Sequence, residues 1–436
     1  VQDIAFSFVP YARNSTTIEM KTTTRIQLSV LMFLEFFIWG AWYTMIAVYM
    51  RNNGMPKDTF WPFTVNPIAA IIAPFFIGLI ADRYFATQKV LGTLHILGSV
   101  FMFLVPSATG NTTLFVLLLL AYNICYMPTM GLANTVCFYK ITDQKKEFPL
   151  LRVFGTIGWI AAGIIISFVL VKFTNGVKAE QTALPLYMAA TASLLLGLYS
   201  FTLPHTPPPA RGKKVSARAI IGIDALKQLG SPSFYIFLIC SFLICIPLAA
   251  YYNMTQLFLE SSHYKNISAT QTIGQVSETL FMLLMPFFFA RFGVKWMLAA
   301  GMLAWVLRYV LFALGAPELV DWMILTGVAL HGICYDFFFV TGQIYVDTKA
   351  KVEIRAQAQG LIVFVTYGVG MLVGAWIAGM VYDGFLKDAP ALTLQQWQSF
   401  WWLPAAFAAL VLLFFVASFR ERKDPVQKIE NRMANA

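Results

Sequence analysis

The sequence predicts an all-α membrane protein of twelve crossing helices, arranged as two six-helix halves. Three observations predict this. Hydrophobic residues make up 58% of the 436 residues and charged ones only 12%, against about 25% charged in soluble proteins; mean hydropathy is +0.68. Apolar runs long enough to cross a bilayer as a helix, about 20 residues each, recur twelve times along the chain. A proline-rich and then basic stretch, HTPPPARGKKVSAR at 205–218, separates the sixth run from the seventh.

Residues 1–19 lack the apolar core of a signal peptide. Met20-Lys21, a short polar run and then the first span read as a natural start. Residues 1–25 are therefore an N-terminal tail with no assigned function. The spans of the first half (26–204) fall near 27–50, 60–81, 89–107, 113–139, 150–172 and 184–203. The linker (205–230) ends in AIIGIDALKQL, 219–229, whose apolar residues at helical spacing suggest a short interfacial helix. Spans near 233–258, 270–290, 296–315, 321–346, 357–383 and 397–419 make the second half (231–420), and 421–436 is a tail.

Basic residues set the orientation. With both termini and the linker inside, the inner side collects twenty-four of the 31 Lys and Arg residues. The outer loops hold only Arg51, Lys57, Lys172, Lys178, Lys265 and Lys387, and Arg308 lies within a span. Cytoplasmic loops carry such an excess, so the net charge of +10 points to topology and not to a nucleic-acid partner. The five cysteines all fall in apolar spans without metal-ligand spacing and read as small buried hydrophobes. No catalytic motif, phosphate-binding loop or metal constellation is present. An enzyme and a self-contained ATP-driven pump are not expected.

Charged groups inside apolar spans carry the functional signal. An Asp at the centre of a membrane helix costs roughly 2.5–3.5 kcal/mol on insertion scales, so it normally faces a polar cavity. Asp336 lies well inside LHGICYDFFFVTGQIYVD, 330–347. On an α-helix it shares a side with Phe339 and Gln343, about a hundred degrees from the face of His331 and Tyr335. Burial disfavours a carboxylate's charge and a nearby guanidinium favours it. A carboxyl group between those influences can load and release a proton. In span five, Arg152, Thr156 and Trp159 share one face, which suits a flat ligand with hydrogen-bond acceptors. In span eight, Gln271, Gln275 and Glu278 form a second stripe, matched to hydroxyls and ring nitrogens. In span one, Glu35, Trp39 and Trp42 form a third. Glu35 reads equally as a second proton site or as a partner for a neighbouring helix.

The halves echo each other. PFFIGLIADRYFATQKVLG (74–92) and PFFFARFGVKWMLAAG (286–301) both run Pro-Phe-Phe, an Arg in a short loop, then Lys and an apolar restart. Two such repeats resemble the major facilitator superfamily, whose substrate site lies at midplane between the halves. The loop Gly78-Leu-Ile-Ala-Asp82-Arg83 resembles part of that superfamily's signature and gives Asp82 and Arg83 a gating role by resemblance. The blocks FLEFFIWGAW (33–42), YMPTMGLANT (126–135), FPLLRVFGTIGW (148–159), QVSETLFMLLMPFFFARFGVK (275–295), WVLRYVLFALG (305–315), YDFF (335–338) and IRAQAQG (354–360) are more specific. Together they resemble the nucleoside:proton symporters of that superfamily.

The resemblance implies a proton-coupled importer of the cytoplasmic membrane, monomeric, with a nucleoside as substrate, protons as the coupling ion and no cofactor. It implies that Arg152, Thr156, Gln275 and Glu278 hold substrate in the central cavity, with Trp159 and Tyr335 as aromatics beside it and Asp336 in proton coupling. Glu278, a second intramembrane carboxyl group, is a further candidate for carrying the proton beside Asp336. His331, Ala249 and Tyr252 stand where that pattern has Tyr, Gln and Asn, which bears on specificity. A same-fold transporter for another polar solute, such as a sugar or modified base, is the alternative. A membrane receptor without flux is a third reading, disfavoured by the short C-terminal tail.

Overall fold

The computed structural model describes residues 21–57, 59–76, 84–141, 144–208, 223–351, 354–387 and 389–420. Among them every regular element is helical. In a bilayer this is the expected solution, because each backbone N–H and C=O must find its partner inside the segment.

The first expected span is two helices, α1 (Thr22–Tyr43) and α2 (Ile46–Asn52). The Thr44 hydroxyl donates back to the Gly40 carbonyl at 2.9 Å, a local bond that competes with helix continuation. Next come α3 (Trp61–Phe76), α4 (Thr87–Leu104), α5 (Thr112–Lys140), α6 (Gln144–Ile164) and α7 (Leu184–Ser200). The Asn111 side chain caps α5 by accepting from the Leu114 N–H. A short α8 (Ile223–Gln228) is the described part of the expected interfacial helix.

Beyond it, α9 (Pro232–Ser261) starts on a Ser231 cap with Pro232 in its first turn, where a missing N–H costs nothing. The expected eighth and ninth spans run on as one 49-residue segment, α10 (Ile267–Gly315), broken at Gly293 with φ 66° and ψ 179°. Only glycine takes that conformation readily. The expected tenth span is segmented: α11 (Asp321–Ala329), α12 (His331–Tyr335), a π-helical turn at Asp336–Val340, and α13 (Thr341–Lys349). The eleventh has α14 (Arg355–Val363), a second π-helical stretch at Phe364–Gly370 and α15 (Met371–Leu386). Last is α16 (Leu394–Ser418), with a Thr393–Gln396 capping box.

Among the described residues nine helices, not twelve, are individually long and apolar enough to cross a membrane. The difference has a simple origin. Two expected spans are merged in α10, and α3 and α7 are shorter apolar helices. The strongest packing pairs α1 with α6, α4 with α5 and α7, and α3 with α5; later in the chain it pairs α10 with α16, α11 and α12, and α9 with α15. Across these groups α6 meets α10, while α3 meets α15 and the second π-helical stretch. Residues 1–20, 209–222 and 421–436, together with the expected gating pair Asp82 and Arg83, lie outside the described residues.

Candidate functional site: a central cavity between the helix groups

The cavity is built by close helix contacts at glycine. A Cβ on Gly158 of α6 would sit 2.1 Å from the Phe33 carbonyl oxygen of α1, so α1 and α6 touch backbone to backbone. Small residues at helix crossings allow this approach. The contact sets Trp39 against Trp159 edge to face, ring centres 5.6 Å apart, and lays the Arg152 guanidinium 3.8 Å from the centre of the Phe36 ring. Gly332 does the same between α12 and α10, where a Cβ would lie 2.4 Å from the Ser277 backbone. That contact brings His331 Nε2 to 3.9 Å from a Glu278 carboxylate oxygen.

Between these pairs lies a cavity with about 800 Å³ of empty space, the solvent at its open mouth included. Seven of its seventeen lining residues are aromatic: Phe36, Trp39, Tyr43, Phe63, Trp159, Tyr252 and Tyr367. The polar groups are few. Arg152 and Thr156 come from α6, Gln275 and Glu278 from α10, His331 from α12 and Asn66 from α3. The indole nitrogens of Trp39 and Trp159, Gln275 Oε1 and His331 Nδ1 are buried with no hydrogen-bond partner among the described residues. Buried polar atoms are normally paired, so a cavity ringed by unpaired ones suits a polar ligand.

The sequence-predicted residues divide clearly. Arg152, Thr156, Trp159, Gln275, Glu278 and His331 line the cavity together. Tyr335 and Asp336 are not among its lining residues. Tyr335 stands behind the wall and shares a 2.5 Å hydroxyl–hydroxyl bond with Tyr367, which does line it. Asp336 is fully buried, and neither carboxylate oxygen has a hydrogen-bond partner among the described residues. Glu35 is turned away toward α4 and α5. It accepts from the Thr129 hydroxyl at 2.6 Å and meets His95 Nε2 at 3.0 Å, and His95 Nδ1 meets the Ser193 hydroxyl at 3.1 Å. Gln271, on the same stripe as Gln275, donates instead to the Thr44 carbonyl at 2.8 Å. Arg308 is buried with its guanidinium 3.8 Å from the centre of the Tyr251 ring, and its Nε donates to the Gly327 carbonyl at 3.0 Å. Tyr251 in turn stacks on His331 at 5.3 Å. Among the described residues no cluster of His, Cys, Asp or Glu could hold a metal, and all five cysteines are free and buried.

A family model described as nucleoside H+ symporter matches residues 20–424. The chain belongs to the nucleoside H+ symporter family. YegT of Escherichia coli K12, named as a nucleoside transporter, is 38% identical over 94% of this chain and 97% of its own length. The xanthosine permease of the same organism is 31% identical over 93% of this chain and 98% of its own length. The crystal structure of the nucleoside transporter NupG superposes with a TM-score of 0.80 at 29% identity, covering 92% of this chain and all of that one. The fold is therefore the major facilitator fold of multi-pass membrane transporters.

In this symporter fold a polar seal joins the two helix groups, with α1, α2 and residues 165–181 on one side and α9 and α10 on the other. Glu260 at the end of α9 pairs with Arg51 and accepts from Asn52 at 2.9 Å and Gln181 at 2.7 Å. Gln256 accepts from the Ala47 N–H at 2.9 Å and donates to the Tyr43 carbonyl at 3.2 Å. Glu180 accepts from the Ser167 hydroxyl at 2.9 Å and the Ser268 N–H at 3.1 Å. Sequence reasoning missed this seal, since its members are scattered over six segments. It also missed Asn66 and Tyr367 in the cavity wall. For Asn66 a signal existed: an amide beside a proline in the middle of an apolar run is the kind of intramembrane polar group that marks a pathway.

Proposed function

We propose that this chain imports nucleosides together with protons across the cytoplasmic membrane, with both termini inside and the Glu260 end facing outward. One observation carries the reading of the site. In a chain of this family, Arg152 and Thr156 of α6 share an aromatic cavity with Gln275 and Glu278 of α10. A nucleoside is a flat ring joined to a polyhydroxylated sugar. Rings such as Trp159 and Tyr252 suit the base. The guanidinium, the amide and the carboxylate suit the sugar hydroxyls and ring acceptors. Both groups of helices contribute, so a ligand bridging them couples binding to their relative rocking.

Asp336 is the proton carrier in this reading. It is fully buried in the same helix run that supplies His331, with no donor to fix its charge among the described residues. Protonation removes the cost of burying that charge. The Tyr335–Tyr367 bond links its neighbourhood to the cavity wall. Protons are the coupling ion, no other cofactor is needed, and the transporter acts as a monomer.

The test is uptake of radiolabelled uridine and xanthosine into proteoliposomes, with and without an inward proton gradient. Gradient-driven accumulation of either is expected. Equal flux without accumulation would make the protein a facilitator and remove the role given to Asp336. Uptake of neither by folded protein would reject nucleosides in favour of another polar solute.

A further inference from the structure

We infer that Asn66 reads the hydrogen-bonding edge of the nucleobase and so sets which nucleosides the site accepts. The inference rests on the nucleoside reading above and extends it to the far side of the cavity. Asn66 is 6% exposed, lines the cavity, and has neither amide atom hydrogen-bonded among the described residues. A buried amide left in this state is costly, and an Asn serving as interhelical glue would show a bond to the opposing helix.

Its placement gives the cavity two poles. Arg152, Thr156, Gln275 and Glu278 come from α6 and α10, which pack against each other. Asn66 comes from α3, which packs against the 364–370 stretch and α15, and these contribute Tyr367 and Met371 to the wall. One pole therefore carries charges, the other a neutral amide and a phenol. The ring of Tyr43 stands between them, 5.1 Å from Phe63 on the α3 side and 6.2 Å from Trp159 on the α6 side.

A nucleoside has the same polarity. A carboxylate suits the vicinal hydroxyls of ribose, the pairing used in dinucleotide-binding folds. An Asn amide presents a donor next to an acceptor and pairs bidentately with a base edge of the opposite pattern, as it does with adenine. Uracil and hypoxanthine offer such an edge through a ring N–H beside a carbonyl, and adenine and cytosine through an amino group beside a ring nitrogen. Rotation of the amide serves both orders. The ribose accordingly lies toward Glu278 and the base toward Asn66. Pro67, the next residue, has no N–H to give the preceding helical turn, and it shares the cavity wall with Asn66.

The experiment measures competition against the labelled nucleoside that the wild-type protein accumulates in proteoliposomes. Two pairs of competitors are used: uridine with 3-methyluridine, and adenosine with purine riboside, which lacks the amino group. Wild type is expected to prefer the parent compound by about tenfold or more in at least one pair. Asn66→Leu and Asn66→Ser are each expected to shrink that ratio to about threefold or less, while the penalty for 2′-deoxyuridine, set at the other pole, persists. A ratio is insensitive to how much protein folds, and the smaller Ser variant guards against a Leu variant that does not. Lack of preference in both wild-type pairs, or a preference that survives in the variants, would overturn the role of Asn66. Absence of nucleoside uptake by wild type would instead reject the substrate reading beneath it.

Discussion

Glu35 in α1 and Asp336 in the π-helical turn after α12 are both fully buried carboxyl groups within apolar runs. Glu35 accepts from Thr129 and meets His95, whose other nitrogen meets Ser193. Asp336 accepts from no donor among the described residues. The same sequence signal, an acid where lipid should be, thus has two outcomes. A carboxyl group whose oxygens are occupied ties helices α1, α4 and α5 together, and any change in its proton breaks bonds. A carboxyl group without such donors is not tied to one protonation state, the property that the proposed proton site at Asp336 requires. Burial alone does not distinguish these two acids; the count of donors does.

The largest expected effect tests Asp336. Asp336→Asn keeps the shape and removes the exchangeable proton. Gradient-driven accumulation in proteoliposomes should vanish, while nucleoside binding measured by competition stays within severalfold of wild type. Full concentrative uptake by this variant would break the comparison at its root.

Next comes Glu35→Ala, which leaves His95 and Thr129 buried without their partner. Leaving a buried polar group unsatisfied costs roughly 1–3 kcal/mol. The loss should appear as a lowered unfolding temperature in detergent, with proton-driven uptake retained per folded molecule. Lost coupling without lost stability would make Glu35 the second proton site and erase the contrast.

Glu278→Gln sharpens the contrast by testing a carboxyl group in the cavity itself. A hydrogen bond to a charged group is worth about 1.5–3 kcal/mol, so the nucleoside concentration for half-maximal uptake should rise by roughly tenfold or more. Coupling to protons should remain. Loss of coupling here would move the proton from Asp336 toward Glu278.

The smallest effect is that of Thr129→Val, which removes one donor from Glu35. A single hydrogen bond contributes about 1 kcal/mol. Thermal unfolding should shift by about one degree, and transport should be unaltered. No shift at all would show that the Glu35 network is looser than its distances imply.

Much of the site was legible because a helix repeats. Arg152, Thr156 and Trp159 share a face by spacing alone, as do Gln275 and Glu278, and all five reach the cavity. The reading by spacing ran out at Tyr335, which shares α12 with His331 yet stands outside the cavity lining, bonded to Tyr367. An α-helical register puts Tyr335 with His331 and sets Asp336 apart with Phe339 and Gln343. The π-helical turn at 336–340 adds a residue to that turn and rotates the residues after it by about a hundred degrees. Gln271 lies on the right stripe but beyond the cavity, where the seal takes it. Asn66 was passed over because its run was read for apolarity and not for its one amide.

By itself the sequence determined the fold class, the helical runs and the family. A bilayer leaves the backbone few choices, and twenty apolar residues with basic flanks have one economical arrangement. Only the tertiary structure decided which polar groups meet. Glu35 found donors on α4 and α5, Glu260 found Arg51 across the seal, and Asp336 found none among the described residues. Those outcomes depend on contacts between residues far apart in the chain, set by helix approaches such as those at Gly158 and Gly332, and spacing along one helix carries no record of them.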